Sequence, residues 1–185
     1  MNYKQKIKEI ITSDNQRMKV LNAVQSIGLP DGIVAAGFVR NAVWDFLYGI
    51  ETPLNDIDVI YFCESDISEE KDLMLEHQLF ELEPDFPWSV KNQARMHIRN
   101  GDAPYKHCLN AMNFWPEKQT AVGAYLNPLN DLEIISSFNL SLLFNGEIEY
   151  NPARSLDVFN KRVTSKKWLT NWPLLKVKTS TLCTQ

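Results

Sequence analysis

Two aspartates, Asp56 and Asp58, lead the run Asp56-Ile57-Asp58-Val59-Ile60-Tyr61-Phe62. The run is rich in β-branched and aromatic residues and reads as a strand. Strand side chains alternate, so both carboxylates leave the same face and repel each other. A divalent cation resolves that conflict, and hard oxygen ligands favour Mg²⁺ or Mn²⁺. The plain alternative is a solvated polar face at the start of a strand, with Asn55-Asp56 as turn residues. Upstream, Gly37 closes the apolar run Ile33-Val34-Ala35-Ala36 and precedes a helical pattern. Glycine lets the backbone approach a ligand closely. The amides and positive dipole end of a helix start suit a phosphate. Arg40 stands one turn further in, within reach of a phosphate or an acidic neighbour. Taken alone, Gly37 is equally a plain helix entry.

These residues must be carried by elements, and the pattern supplies them. Residues 3–26 read as one helix, with Ile7, Ile10, Ile11, Met18, Leu21 and Val24 mostly three and four apart, stopped by Gly28 and Pro30. Residues 33–36 form a short strand, and Val39–Tyr48 a helix capped by Gly49. After the Asp56–Phe62 strand, Ser68 starts a helix that runs to about Leu82. Pro84 and Pro87 break the chain, and Trp88–Met96 alternates as a strand. A hairpin joins Thr120–Leu126 to Leu132–Ser136 around Asn127-Pro128-Leu129-Asn130. From Leu140 onward the reading is mostly helical, with Pro152 at a helix start. The polar stretch 179–185 is expected to be a disordered tail. The whole, residues 1–185, reads as one domain of α/β (α+β) class, a mixed β-sheet flanked by helices.

The formal net charge of -4 and pI near 5.4 argue against coating of bulk nucleic acid, and make long RNA the least attractive partner. No run reaches membrane-span length, and the first ten residues lack a signal peptide's apolar core. The odd, scattered cysteines Cys63, Cys108 and Cys183 fit neither a disulfide framework nor a zinc site, so they read as reduced thiols of a cytoplasmic protein, Cys63 in the core. His77 reads as surface, and His107 beside Cys108 is no metal pattern. Phe114, Trp115, Trp168 and Trp172 read as packing rather than a base-stacking shelf.

Together the two halves of the block Ala36–Phe62 are more specific than either. Ala36-Gly37-Phe38-Val39-Arg40-Asn41 followed by Asp56-Ile57-Asp58 resembles the signature of the DNA polymerase beta-like nucleotidyltransferases, above all the CCA-adding and poly(A)-polymerase branch. That signature is Gly-Gly-x-Val-Arg-Asp, a helix, then Asp-x-Asp on a strand. Ala36 stands in place of the first glycine and Asn41 in place of the aspartate. Trp88–His97, with Trp115-Pro116-Glu117 and Thr120-Ala121-Val122-Gly123, is similar to a compact bacterial branch of nucleotidyltransferase-like proteins.

The resemblance implies transfer of a nucleoside monophosphate from a nucleoside triphosphate to an acceptor hydroxyl. The acceptor class stays open: a small molecule, a protein or an RNA end. Asp56 and Asp58 would be catalytic and hold Mg²⁺ or Mn²⁺, and Gly37, Arg40, Lys91 and Arg95 would bind the nucleotide. Lys91, Gln93, Arg95 and His97 would share one strand face. The superfamily's third carboxylate would be Asp85 or Glu133, or would be missing. In the last case the protein is a weak or inactive nucleotide-binding regulatory module.

Overall fold

The protein, described by a computed structural model over residues 2–179, has five strands in one mixed sheet of order β3-β2-β1-β4-β5. The strands are β1 (Ile33–Ala35), β2 (Ile57–Tyr61), β3 (Trp88–Asn92), β4 (Val122–Leu126) and β5 (Leu132–Ser136). Within this sheet β2 and β3 pair in parallel and the other pairs antiparallel, with Asp58 level with Ser89 and Ile60 with Lys91. The crossover between them is α4 (Glu69–Leu82), whose N-cap is Ser68, as its sequence predicts. The alternation of β2 sorts its side chains. Ile57, Val59 and Tyr61 face a core filled by Ile7, Ile11, Leu21, Phe38, Val43, Leu75 and Leu79 from the first four helices, whereas Ile60 packs on the opposite face with Cys108 and Met112. Asp58 shares that second face.

The expected helix over 3–26 is two, α1 (Tyr3–Thr12) and α2 (Asn15–Ser26). Asp14 separates them because its carboxylate accepts from the amides of Gln16 and Arg17, and α2 starts again from that cap. The helix α3 (Gly37–Tyr48) ends at Gly49 in the left-handed conformation. The expected strand over 88–96 stops at Asn92, and α5 (Gln93–Asn100) follows. Asn92 is fully buried, and its side chain does the stopping. Its Oδ1 accepts from the amides of Ala94 and Cys63, and its Nδ2 donates to the carbonyls of Cys63 and Asp66. Gln93, Arg95 and His97 therefore lie on a helix and not on a strand face with Lys91.

β3 is an outer strand of the sheet. Its outward amides are nonetheless occupied: Trp88 N–H donates to the Phe86 carbonyl, Val90 N–H to Glu76 Oε2 at 3.1 Å, and Asn92 N–H to Asp72 Oδ1 at 3.1 Å.

After α6 (Cys108–Met112) and the β4–β5 hairpin, the C-terminal part is less helical than its pattern suggests. Residues Leu140–Phe144 form a 3₁₀ turn, and β6 (Glu147–Glu149) pairs in parallel with β7 (Lys176–Lys178). Pro152 sits in a turn, and α7 (Leu156–Ser165) begins instead at the Ser155 cap. α7 and α8 (Trp168–Asn171) close a third cluster of Trp44, Ile148, Phe159, Trp168, Trp172 and Leu175. Trp168 and Trp172 are packing residues, as expected. His77 is exposed, also as expected. Cys63 is only half-buried, and it is Cys108 that lies fully inside, its amide donating to Asp31. Cys183 and nearly all of the expected tail lie outside the described residues. Among the described residues no helix is long and apolar enough to cross a membrane.

Removing the Asn92 side chain would leave the buried amide of Ala94, the half-buried amide of Cys63 and the carbonyls of Cys63 and Asp66 without that partner. Asn92→Ala is expected to cost about 3 kcal/mol in urea unfolding. A loss below about 0.5 kcal/mol would show that other groups or water replace these bonds.

Candidate active site

The β1–α3 junction, the start of β2 and the α7–α8 segment meet around a cleft of about 150 Å³. Ala36, Gly37, Arg40, Asn41, Asp56, Asp58, Thr120, Arg162, Lys166 and Trp168 contribute to its walls. Asp56 and Asp58 are thus brought together with Gly37 and Arg40, as their spacing predicts. Asp56 stands one residue before β2 and is exposed; Asp58 lies on β2 and is half-buried.

Burial raises the Asp58 carboxyl above the usual carboxylate range, and the charge of Asp56 raises it further. Lys166, Arg40 and Arg162 oppose that rise. Lys166 Nζ lies 3.4 Å from Asp56 Oδ2. Two hard oxygen donors on one wall, one held back from ionisation by burial and its neighbour, form a donor set that fits a divalent cation. Among the described residues no group of three or more His, Cys, Asp or Glu side chains is arranged for a metal. The pair would leave the remaining coordination positions to phosphate oxygens and water, as Mg²⁺ sites commonly do.

The entry into α3 shapes the opposite wall. Ala36 has φ +56° and ψ -118°, a backbone conformation that favours glycine. Here this sequence departs from the double glycine of the signature, and an L-residue carries the strain. A Cβ on Gly37 would meet Arg40 Nη2 and Asn41 Nδ2 at 3.4 Å, close to ordinary van der Waals contact.

Arg40 is buried, with its guanidinium over the rings of Trp168 (4.6 Å) and Trp44 (5.1 Å). It donates from Nη1 to Thr120 Oγ1 at 2.8 Å and from Nη2 to Asn41 Oδ1 at 2.9 Å. Burial lowers its pKa to about 10 against the pull of Glu117, so it stays charged at neutral pH. Asn41 keeps the acceptor that an aspartate would supply there but not the charge. The guanidinium charge consequently stays available to the cleft.

Two further carboxylates fix the walls. Asp45 accepts from Thr52 N–H and Oγ1 and from Trp172 Nε1, so it ties α3 to the loop feeding Asp56 and to the end of α8. Glu117, fully buried, accepts from Arg162 Nε at 2.6 Å and from Nη2 at 3.2 Å.

Other expected site residues lie elsewhere. Lys91 and Arg95 line a separate cavity with Ile67, Leu73 and Ile98, and Arg95 is salt-bridged to Asp72. Neither candidate for the third carboxylate lines the cleft. Glu133 is held by Lys4 and Lys8, and Asp85 belongs to a groove beyond Asn55. Thr120, Arg162, Lys166 and Trp168 escaped the sequence reading as site residues. The one available signal was that Arg162 and Lys166 are four apart on a helical pattern and so share a face.

The profile of a family described as nucleotidyltransferase matches residues 22–177. No curated protein matches the sequence. A solved NMR structure, described as revealing a CCA-adding enzyme head domain, is 34% identical, with 96% of each chain covered and a TM-score of 0.84. More distant are a CCA-adding enzyme in complex with CTP (13% identity, 94% of this chain and 43% of that one, TM-score 0.58) and one with ATP (14%, 92% and 41%, TM-score 0.55). These two share the fold, and the chain spans about two fifths of their length.

Because the folded pKa of Asp58 is raised, the native protein gains a proton before the unfolded chain does. Asp58 ionisation therefore opposes folding above that pKa, and the opposition fades as pH falls through it. Asp58→Asn is expected to raise the melting temperature of metal-free protein at pH 7 by roughly 2–4 °C, the shift that about 1 kcal/mol produces in a domain of this size. The gain should shrink in acid; a gain that is constant with pH would place its origin elsewhere. Ala36→Gly, measured the same way, should stabilise by about 1 kcal/mol as strain is released. Destabilisation would mean that the positive φ costs less than the flexibility glycine adds.

Proposed function

The chain belongs to the nucleotidyltransferase family, and we propose that it moves a nucleoside monophosphate from a nucleoside triphosphate to an acceptor hydroxyl, releasing pyrophosphate. One observation carries this reading: Asp56 and Asp58 share a cleft with the α3 start and with Arg40, Arg162 and Lys166. Polyphosphate chemistry needs that pairing of metal-binding carboxylates with cations. The CTP and ATP complexes of the distant CCA-adding enzymes support a nucleoside triphosphate as substrate.

Asp56 and Asp58 would hold Mg²⁺ or Mn²⁺. Such an ion supplies charge neutralisation for the triphosphate and a lowered pKa for the acceptor hydroxyl. The chain's own residues do the rest. The first amides of α3, at Gly37 and after it, receive phosphate oxygens. Arg40, rigid between two indoles, presents a fixed positive charge to the triphosphate. Lys166 is half-exposed on a flexible stem and exchanges its contact with Asp56 for a phosphate oxygen. Lys91 and Arg95 have no part in this site.

A second reading, a nucleotide-binding module without turnover, is favoured by the cleft's lack of a third carboxylate among the described residues. One experiment separates the two. Purified protein is incubated with each α-labelled nucleoside triphosphate, Mg²⁺ or Mn²⁺ and a cell extract. Wild type should label an acceptor, and Asp56→Ala/Asp58→Ala should lower the rate at least ~10³-fold. Metal-dependent nucleotide binding without any transfer would favour the second reading. Absence of both would sink the nucleotide assignment.

A further inference from the structure

Beside the cleft runs a second, larger depression of about 810 Å³, and the two share Leu54 and Asn55, the residues immediately before Asp56. The Pro84–Trp88 turn forms one side and α4 the other, through Leu73, Glu76, His77 and Phe80. Its surface is mixed, with exposed apolar side chains among polar ones: Phe80 is 52% and Leu73 60% exposed, and Phe86 meets the largely buried Trp88 edge to face at 5.7 Å. Its ionisable groups are two carboxylates and the His77 imidazole. Among the described residues Glu76 and Asp85 line it and no Lys or Arg does. Glu76 is engaged with the Val90 amide; Asp85 is exposed and has no hydrogen bond or ion pair among the described residues.

The cleft proper collects Arg40, Arg162 and Lys166 beside Asp56 and Asp58, and the groove next to it carries Glu76, Asp85 and His77 and, among the described residues, no Lys or Arg. A polyphosphate is drawn to the first and repelled by the second. Aromatic faces beside carboxylates are the usual surroundings of an organic cation with an apolar body. Resting on the proposed transfer reaction, we infer that this groove seats the acceptor, and that the acceptor is a hydroxyl-bearing organic cation. Its ammonium lies toward Asp85, its apolar part against Phe80, Phe86 and Trp88, and its hydroxyl enters past Asn55 to Asp56. The hydroxyl oxygen forms the new bond to the α-phosphorus, the bond from that phosphorus to the bridging oxygen breaks, pyrophosphate leaves, and the hydroxyl proton passes to water.

The test begins with binding. Trp88 Nε1–H, which donates to the Glu83 carbonyl at 2.9 Å, reports on the groove in ¹⁵N–¹H spectra. Benzyltrimethylammonium and benzenesulfonate, equal in apolar body and opposite in charge, are titrated at constant ionic strength. The ammonium should shift Trp88 Nε1–H and the Asp85 and Phe86 amides, and the sulfonate should not. Asp85→Lys, at an exposed and unpartnered position, should weaken ammonium binding at least about fivefold with the rest of the spectrum unchanged.

In the transfer assay the extract is split beforehand into cation-exchanger-bound and anion-exchanger-bound pools. Label should enter the first, and Asp85→Lys should raise the amount needed for half-maximal transfer severalfold while nucleotide affinity holds. Sulfonate binding as well as ammonium, indifference to Asp85→Lys, or label entering the anionic pool (RNA included) each overturns the inference while leaving nucleotidyl transfer intact. Ammonium binding in a protein that binds no nucleotide removes the transfer reading, and the acceptor role with it.

Discussion

Two carboxylates held side by side at the mouth of β2 repel each other, and much of the surrounding structure answers that repulsion. The β2 alternation fixes Asp58 on the face away from the main helical core, and the loop that Asp45 clamps through Thr52 delivers Asp56 beside it. Positive charge comes from α3 through Arg40, and from the last turn of α7 and the residue that caps it through Arg162 and Lys166. A fold that left those carboxylates in water would face no such demand. By half-burying Asp58, this one makes the site a worse place for an uncompensated carboxylate and so one that favours added positive charge. Local stability is given up for binding capacity, a common arrangement at sites built to receive charge.

Arg40 shows how a charge is kept usable inside a protein. Burial would make an isolated guanidinium costly, and this one is compensated by ring faces on two sides, by Thr120 and Asn41 oxygens, and by Glu117 at longer range. None of these partners is a carboxylate in direct contact, so the positive charge is solvated without being cancelled. Glu117 instead spends its contact on Arg162, tying α7 to the segment before β4. The cation wall therefore depends on a polar network that spans residues 40 to 172.

Local pattern made α3, β2, α4 with its Ser68 cap, and the β4–β5 hairpin legible in the sequence, because each carries its own periodicity and punctuation. The carboxylate pair with Gly37 and Arg40 was legible for the same reason: all fall within one strand–helix–strand unit. What was missed depends on single side chains or distant partners. Asp14 interrupts a continuous apolar stripe without altering its spacing. Asn92 ends β3 through bonds to residues 63 and 66, which alternation cannot reveal, and so Arg95 was placed on a strand face that does not exist. Lys166 reaches Asp56 across more than half the chain. Nothing in the charged face of α7 distinguishes a residue aimed at the cleft from one aimed at water.

The outer edge of β3 has a bearing on how copies of this protein behave toward one another. An unsatisfied sheet edge is a template on which a neighbouring chain can add its own strand. Here the donors that such a strand would need are already taken, by Phe86 within the same turn and by Glu76 and Asp72 from the crossover helix. The groups on guard are themselves anionic, so an approaching backbone carbonyl meets like polarity as well as a missing donor. The donors of that edge are thereby closed to a sixth strand, two of them by the same helix that connects β2 to β3.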